Sequence, residues 1–239
     1  MYKTNTTIAL MKYLYVLALA LLMFSCGNEK SVLLPELENA KVTEILDVSP
    51  AYLFYDETQP DSLELNRKNL IGTTNWLFNV DKRLTLEQAI PKITFLQNKK
   101  RNAEVHKNEN AKNYYTCNDT SIQNLGFIEF TDVVYQNVSL QDYFRDKKRH
   151  ETMSLALNVI SINNYSLESF SNENSNTEVF SKIEDVINKI KTHFKTEQDL
   201  KLYSLFHSKL SFQEYITIKS KIQDIENEGI PIDKNEFIY

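Results

Sequence analysis

The sequence predicts a mixed α/β fold of the α+β class, a mixed sheet with helices packed on it. Three observations carry this expectation. Apolar residues alternate at period 2 in some segments and recur at period 3.6 in others, and the two kinds of segment interleave along the chain. A hydrophobic content of 42%, with 11% aromatic, is enough for a real core and argues against wholesale disorder. Only 4 Gly and 5 Pro among 239 residues argue against collagen-like, Gly-rich or linker-dominated architectures.

Taken in order, Ala51-Tyr-Leu-Phe-Tyr55 and Asn75-Trp-Leu-Phe-Asn-Val80 read as strands, rich in aromatic and branched residues. The run Leu125 to Tyr135 reads as one strong strand, buried on both faces by its composition. Met153 to Ile162 follows the same alternation, and Leu200 to Phe206 reads as a strand with a helix as the alternative. A helix is predicted from Thr177 to about Lys195, because Val179, Phe180, Ile183, Val186, Ile187, Ile190 and Phe194 form one apolar face; Ser175 and Glu178 offer a capping box. A second runs from Phe212 to about Asn227 and stops near Gly229, with Pro231 just beyond. A terminal strand is expected near Glu236-Phe-Ile-Tyr239.

One short pattern recurs at three helix starts. Leu84-Thr-Leu-Glu-Gln-Ala-Ile90, Val138-Ser-Leu-Gln-Asp-Tyr-Phe144 and Leu210-Ser-Phe-Gln-Glu-Tyr-Ile216 share an apolar residue, a hydroxyl residue, an apolar residue and two polar ones. Thr85, Ser139 and Ser211 can cap, and Gln88, Asp142 and Glu214, three residues later, can reach back. Convergent capping chemistry is the preferred reading over duplication. Either way the pattern gives repeated strand–cap–helix units, and two similar halves stay open: residues 46–150 and 151–239, meeting near residue 150.

The segment 97–124 is the weakest part of the pattern. Lys99, Lys100, Arg101, Lys107 and Lys112 outnumber Glu104 and Glu109 there. A basic patch for lipid headgroups or nucleic acid is one reading. A solvated loop or helix extension is preferred, and no nucleic-acid partner is expected, because residues 26–239 are acidic, with 25 Lys and Arg against 32 Asp and Glu.

The search for chemistry returns little. With glycines at 27, 72, 126 and 229 alone, no G-x-G-x-x-G or Walker loop can form. There is no H-E-x-x-H, C-x-x-C or G-x-S-x-G, and His106, His150, His193 and His207 stand isolated. No catalytic, cofactor-binding or metal-ligating residue is assigned, and no cofactor is expected. Trp76, Tyr52, Tyr55, Tyr114 and Tyr115 could line a carbohydrate or peptide groove, but sheet or core positions are preferred. Cys117 has no neighbouring His and is read as a buried structural cysteine.

The N-terminus is more informative. Residues 1–25 hold Lys3 and Lys12 and no acidic residue, and Leu14 to Phe24 is an uncharged apolar run of eleven residues. As a helix such a run rises about 16 Å, too short for a bilayer core of roughly 30 Å, and it fits the apolar region of a secretory signal. Met11-Lys12 would make a compact start, so residues 1–10 are read as an upstream extension. Leu21-Leu-Met-Phe-Ser25 before Cys26 resembles the lipobox of bacterial lipoproteins. The resemblance implies cleavage before Cys26 and attachment of a diacylglyceryl group to its sulfur. Residues 27–40, short, polar and Glu-rich, read as a tether within an anchor-and-tether segment at 26–45. The lipobox resemblance places the mature chain in the cell envelope, lipid-anchored to a membrane, in the outer membrane of a Gram-negative bacterium by preference.

Residues 177–239, with Leu210-Ser-Phe-Gln-Glu-Tyr-Ile216 opening a helix and Glu228-Gly-Ile230 closing it, resemble the periplasmic domain of the energy-transducing biopolymer-transport family. In that family the domain follows a transmembrane helix bearing an essential acidic residue, which the apolar segment here lacks. The resemblance therefore implies a small mixed α/β module that binds an envelope polymer or protein, without a motor role. The sequence leans toward a non-enzymatic binding or structural module. The alternative is a hydrolase of envelope glycans or peptides that uses dispersed carboxylates.

Overall fold

A computed structural model describes residues 30–105, 108–145, 154–170, 175–196 and 201–239. Cys26, Lys107, His106, His150 and the junction expected near residue 150 lie outside these. Val32–Tyr239 forms one compact unit. Twelve strands and four helices are described: β1 Glu36–Leu37, β2 Val48–Tyr55, β3 Leu63–Asn66, β4 Asn75–Val80, α1 Leu86–Arg101, β5 Asn113–Asp119, β6 Asn124–Glu129, β7 Val134–Gln136, α2 Leu140–Arg145, β8 Ser154–Ser161, β9 Asn164–Phe170, β10 Ser175–Phe180, α3 Ile183–Thr196, β11 Lys201–Phe206, α4 Phe212–Asn227 and β12 Ile232–Ile238.

These strands form two mixed sheets. The first has the order β1-β5-β4-β2-β3, with β6 also paired to β5, and the second has the order β10-β9-β8-β11-β12-β7. In both, a hairpin's first strand lies parallel to the strand that opens a strand–helix–strand unit: β2 against β4, and β8 against β11. Adjacent parallel strands need a crossover, and α1 supplies it between β4 and β5 as α4 does between β11 and β12. The chain is thus a mixed α/β protein whose two parts repeat one arrangement. β10 and α3 are additions in the second; residues 67–74 join β3 to β4 directly.

All three caps form. Glu214 accepts the Ser211 N–H at 2.8 Å while the Glu214 N–H reaches Ser211 Oγ at 3.2 Å. Gln88 Oε1 accepts the Thr85 N–H at 2.8 Å, and the Asp142 N–H donates to Ser139 Oγ at 3.0 Å. The caps of α1 and α4 also meet. The Leu86 N–H donates to the Leu210 carbonyl at 2.9 Å and the Phe212 N–H to the Leu84 carbonyl at 2.7 Å, an antiparallel bridge of Thr85 with Ser211. The two helix starts thereby spend their otherwise orphaned donors on each other's flanks.

Three expectations change. The helix expected from Thr177 begins at Ile183, because Ser175–Phe180 pairs with β9 from Ser175↔Phe170 to Phe180↔Tyr165. Val179 is 74% exposed, whereas Ile183, Val186 and Ile190 carry the buried face. The run 125–135 is two strands, not one. Phe130 and Val133 are buried, the Val133 N–H closes a turn onto the Phe130 carbonyl, and β7 then joins the other sheet beside β12. Finally, the segment 97–124 contains the end of α1 and a buried strand, β5, in which Tyr115, Cys117 and Asp119 are wholly buried.

Candidate functional site

The site is best built from α4. Its apolar face, Phe212, Tyr215, Ile216, Ile218, Ile222 and Ile225, is buried, and Lys219 is buried on the same helix. A buried ammonium requires a counter-charge. Glu236 of β12 supplies it: Lys219 Nζ donates to Glu236 Oε1, with the two side chains 7% and 10% exposed. The Tyr215 hydroxyl donates to Glu236 Oε2 at 2.5 Å.

That bond sets the direction of a longer chain. Tyr215 has spent its one proton on Glu236, so Tyr135, 3.1 Å away, must donate to Tyr215. Tyr115 in turn donates to Tyr135. The relay Tyr115→Tyr135→Tyr215→Glu236 links β5 of the first sheet to β7, α4 and β12. Burial pushes the Tyr115, Tyr135 and Tyr215 hydroxyls well above the ordinary tyrosine value, and the Glu236 carboxylate adds to it. These hydroxyls therefore stay protonated.

Beside the ion pair opens a cavity of about 250 Å³ between α4, β12 and the 129–133 loop. Its apolar wall is Phe130, Val133, Ile222 and Ile232, and its floor is Lys219 and Glu236. Glu129, Asp132, Glu226 and Lys234 stand around it with greater exposure; the Glu129, Glu226 and Lys234 side chains are 35%, 37% and 54% exposed. Glu226 pairs with Lys234 at 2.7 Å and Glu129 with Lys112 at 2.8 Å. Bonding to Glu226, with the charges of Asp132 and Glu129 nearby, holds the Lys234 ammonium above its ordinary value. With Glu129, Asp132 and Glu226 against Lys234, the mouth carries more carboxylate than ammonium and is on balance anionic.

The loop that walls the cavity is held by the end of α1. Gln97 Nε2 donates to the Phe130 and Val133 carbonyls at 3.3 and 3.2 Å. Arg101 Nη2 donates to the Thr131 and Val133 carbonyls at 2.9 and 2.8 Å. Lys100, pulled down to about 8 by burial, donates to the Thr74 and Lys112 carbonyls and to Asn113 Oδ1, with its ammonium 5.1 Å from the centre of the Trp76 ring. Two of the five cations in the segment read as a solvated patch, Lys100 and Arg101, thus hold backbone carbonyls instead.

The other residues singled out in the sequence do not converge on this cavity. Cys117 is wholly buried, and desolvation, with the Asp119 charge, pushes its thiol far up, which makes it inert. Trp76 and Tyr115 face the core, whereas Tyr52 stacks on Phe54 with ring centres 5.8 Å apart, so these aromatics share no groove. Among the described residues no three His, Cys, Asp or Glu side chains gather as a metal site, and no helix is long and apolar enough to cross a membrane. Sequence reasoning missed Lys219 and Glu236. The available signal was a lysine in the middle of the α4 apolar face, at i+4 from Tyr215 and i−3 from Ile222.

Comparison with known proteins places nothing beside these residues: no family and no curated protein matches the chain. Among solved structures it is similar to a Bacteroides thetaiotaomicron protein with an actin-like ATPase fold and unknown function. The identity is 12% over 81% of this chain and 90% of that one, with a TM-score of 0.25, too slight a likeness to carry fold or function.

Proposed function

We propose that the chain is an exported, lipid-anchored envelope protein, in the outer membrane of a Gram-negative bacterium, whose body is a non-enzymatic binding module. The observation that carries the address is the apolar run ending in Ser25-Cys26. The state of the cavity carboxylates supports the binding reading: four of the five, Glu236, Glu226, Asp233 and Glu129, each already hold a lysine. Ion-paired carboxylates suit recognition better than proton transfer, which needs a group free to change its charge. The body is held from Leu33 onward. Leu33 donates to Asp81 Oδ2 at 3.1 Å, and its carbonyl accepts the Lys82 N–H at 2.8 Å. The seven residue-to-residue steps from Cys26 to Leu33 reach at most about 25 Å, so a lipid on Cys26 would be a short leash.

The test is metabolic labelling with a fatty acid, followed by membrane fractionation. The intact chain is expected to carry label and to sediment with membranes, and Cys26→Ala to lose both; label retained on Cys26→Ala would overturn the anchor. Turnover of envelope glycans or peptides by the purified protein would replace the binding module with the hydrolase alternative.

A further inference from the structure

We propose that the cavity between α4, β12 and the 129–133 loop binds a small aliphatic zwitterion, an α-amino acid, with its carboxylate on Lys219 and its ammonium at the acidic mouth. The proposal rests on the binding-module reading of this cavity.

The argument starts from the donors of Lys219. An ammonium has three N–H groups, and the side chain, 7% exposed, spends one on Glu236. Lys219 lines the cavity, and Glu236 is the one acceptor its ammonium has among the described residues, so a ligand there can take a remaining N–H. A carboxylate answers this best, because charge-assisted bonds to a buried ammonium are the strong ones.

A simple anion is a poor fit, since Glu129, Asp132, Glu226 and Asp233 outnumber Lys234 around the ion pair. A simple cation finds those carboxylates but offers the Lys219 ammonium no acceptor. A ligand carrying both charges matches a cavity whose floor offers the Lys219 ammonium beside Glu236 and whose mouth is anionic. Phe130, Val133, Ile222 and Ile232 then leave an apolar wall for an aliphatic side chain. Leucine combines all three features.

Three probes share one branched stem. Leucine, in either enantiomer, carries both charges; 3-methylbutylamine lacks the carboxylate and 4-methylpentanoate lacks the ammonium. Calorimetry and saturation-transfer NMR on the full-length chain are expected to show one enantiomer of leucine binding at least about tenfold tighter than either single-charge probe, the worth of one charge-assisted bond. Glu226→Gln combined with Asp132→Asn, both on the accessible rim, should weaken leucine and leave or improve 4-methylpentanoate. Lys219→Met should abolish leucine binding, and the rim variant decides if Lys219→Met fails to fold. Equal binding of leucine and either single-charge probe would overturn the zwitterion while keeping the cavity as a binding site. No binding of any probe at about 10 mM, near the weak end of useful affinity, would overturn both. Chemical conversion of a probe would overturn the non-enzymatic reading.

Discussion

At the scale of single residues, the buried charges are the most informative groups, and each is explained by what it holds. Lys100 and Arg101 look like solvent-facing cations in the sequence because nothing in their spacing reveals which carbonyls will lie opposite. Asp81 works the same way from the acidic side. Its carboxylate is wholly buried, accepts two bonds from Arg83 side-chain nitrogens at 2.8 Å each, and also accepts the Leu33 and Arg83 backbone N–H groups. Burial alone would raise its pKa, but these bonds more than offset it and leave it below the ordinary 3.8. A carboxyl lowered in the folded state adds stability that is complete above the unfolded value and is lost as pH falls through the folded one. Thermal melts should therefore be flat from pH 7 to about 5 and then fall steadily as the pH drops below 3.8. Asp81→Asn should melt lower at pH 7, by about 1–3 kcal/mol for the buried donors it leaves poorly matched. It should also show a shallower acid limb. An acid limb as steep as that of the unaltered chain would remove Asp81 from the explanation. Asp233, lowered by Lys201 and Asn235 against its own burial, keeps the limb from vanishing.

At the scale of elements, helix α4 was fully legible, from Phe212 to Asn227, because cap, apolar period and stop signal agree there. The start of α3 was not. Val179 and Phe180 fit the helical period by coincidence, and β9 beside them offered a ladder that local pattern cannot see. β5 was missed for a related reason: Asn113, Asn118 and Asp119 make a poor strand by composition, yet the strand is clamped between β4 and β6. Gly126, inside β6, shows how tightly that clamp is drawn. A Cβ there would lie 2.5 Å from the Ala40 Cβ and 3.3 Å from the Asp119 Cβ, so glycine is required by close approach and not by its backbone angles. Gly126→Ala should destabilise by about 1–3 kcal/mol, the usual cost of overpacking. Ala40→Gly in the same chain should recover much of that loss, since it removes the nearer atom. A double-mutant cycle in denaturant reads the coupling, and strict additivity would show that the strain lies elsewhere.

At the scale of the whole molecule, the mixed α/β class was legible from the alternation of patterns, and the two-part arrangement was hinted at by the three caps. What no local pattern could show is that the parts are joined through their interiors. β7 leaves the first part of the chain to pair with β12 of the second, the caps of α1 and α4 bridge each other, and the tyrosine relay runs from β5 to Glu236. The residues of that relay are far apart in sequence and carry no motif, so the candidate site stayed invisible until the fold brought them together. One buried core holds Leu53, Phe78 and Tyr115 together with Leu157, Phe206 and Tyr215. Such a body should unfold in one step even though it is built from two sheets. Trp76 is the single tryptophan and lies in the first sheet, so its fluorescence reports that part alone, while far-ultraviolet circular dichroism reports both. Tyr215→Phe acts in α4. It takes the donor from Glu236 and the acceptor from Tyr135, which should cost about 1–3 kcal/mol and lower the melting temperature by several degrees, at about 2–4 °C per kcal/mol for a body of this size. If the core is shared, the Trp76 transition must move down together with the circular dichroism transition, although the substitution lies outside the first sheet. A Trp76 transition that stays in place while the dichroism shifts or splits would mean that the two sheets unfold independently, with the relay a local contact and not the bolt between them.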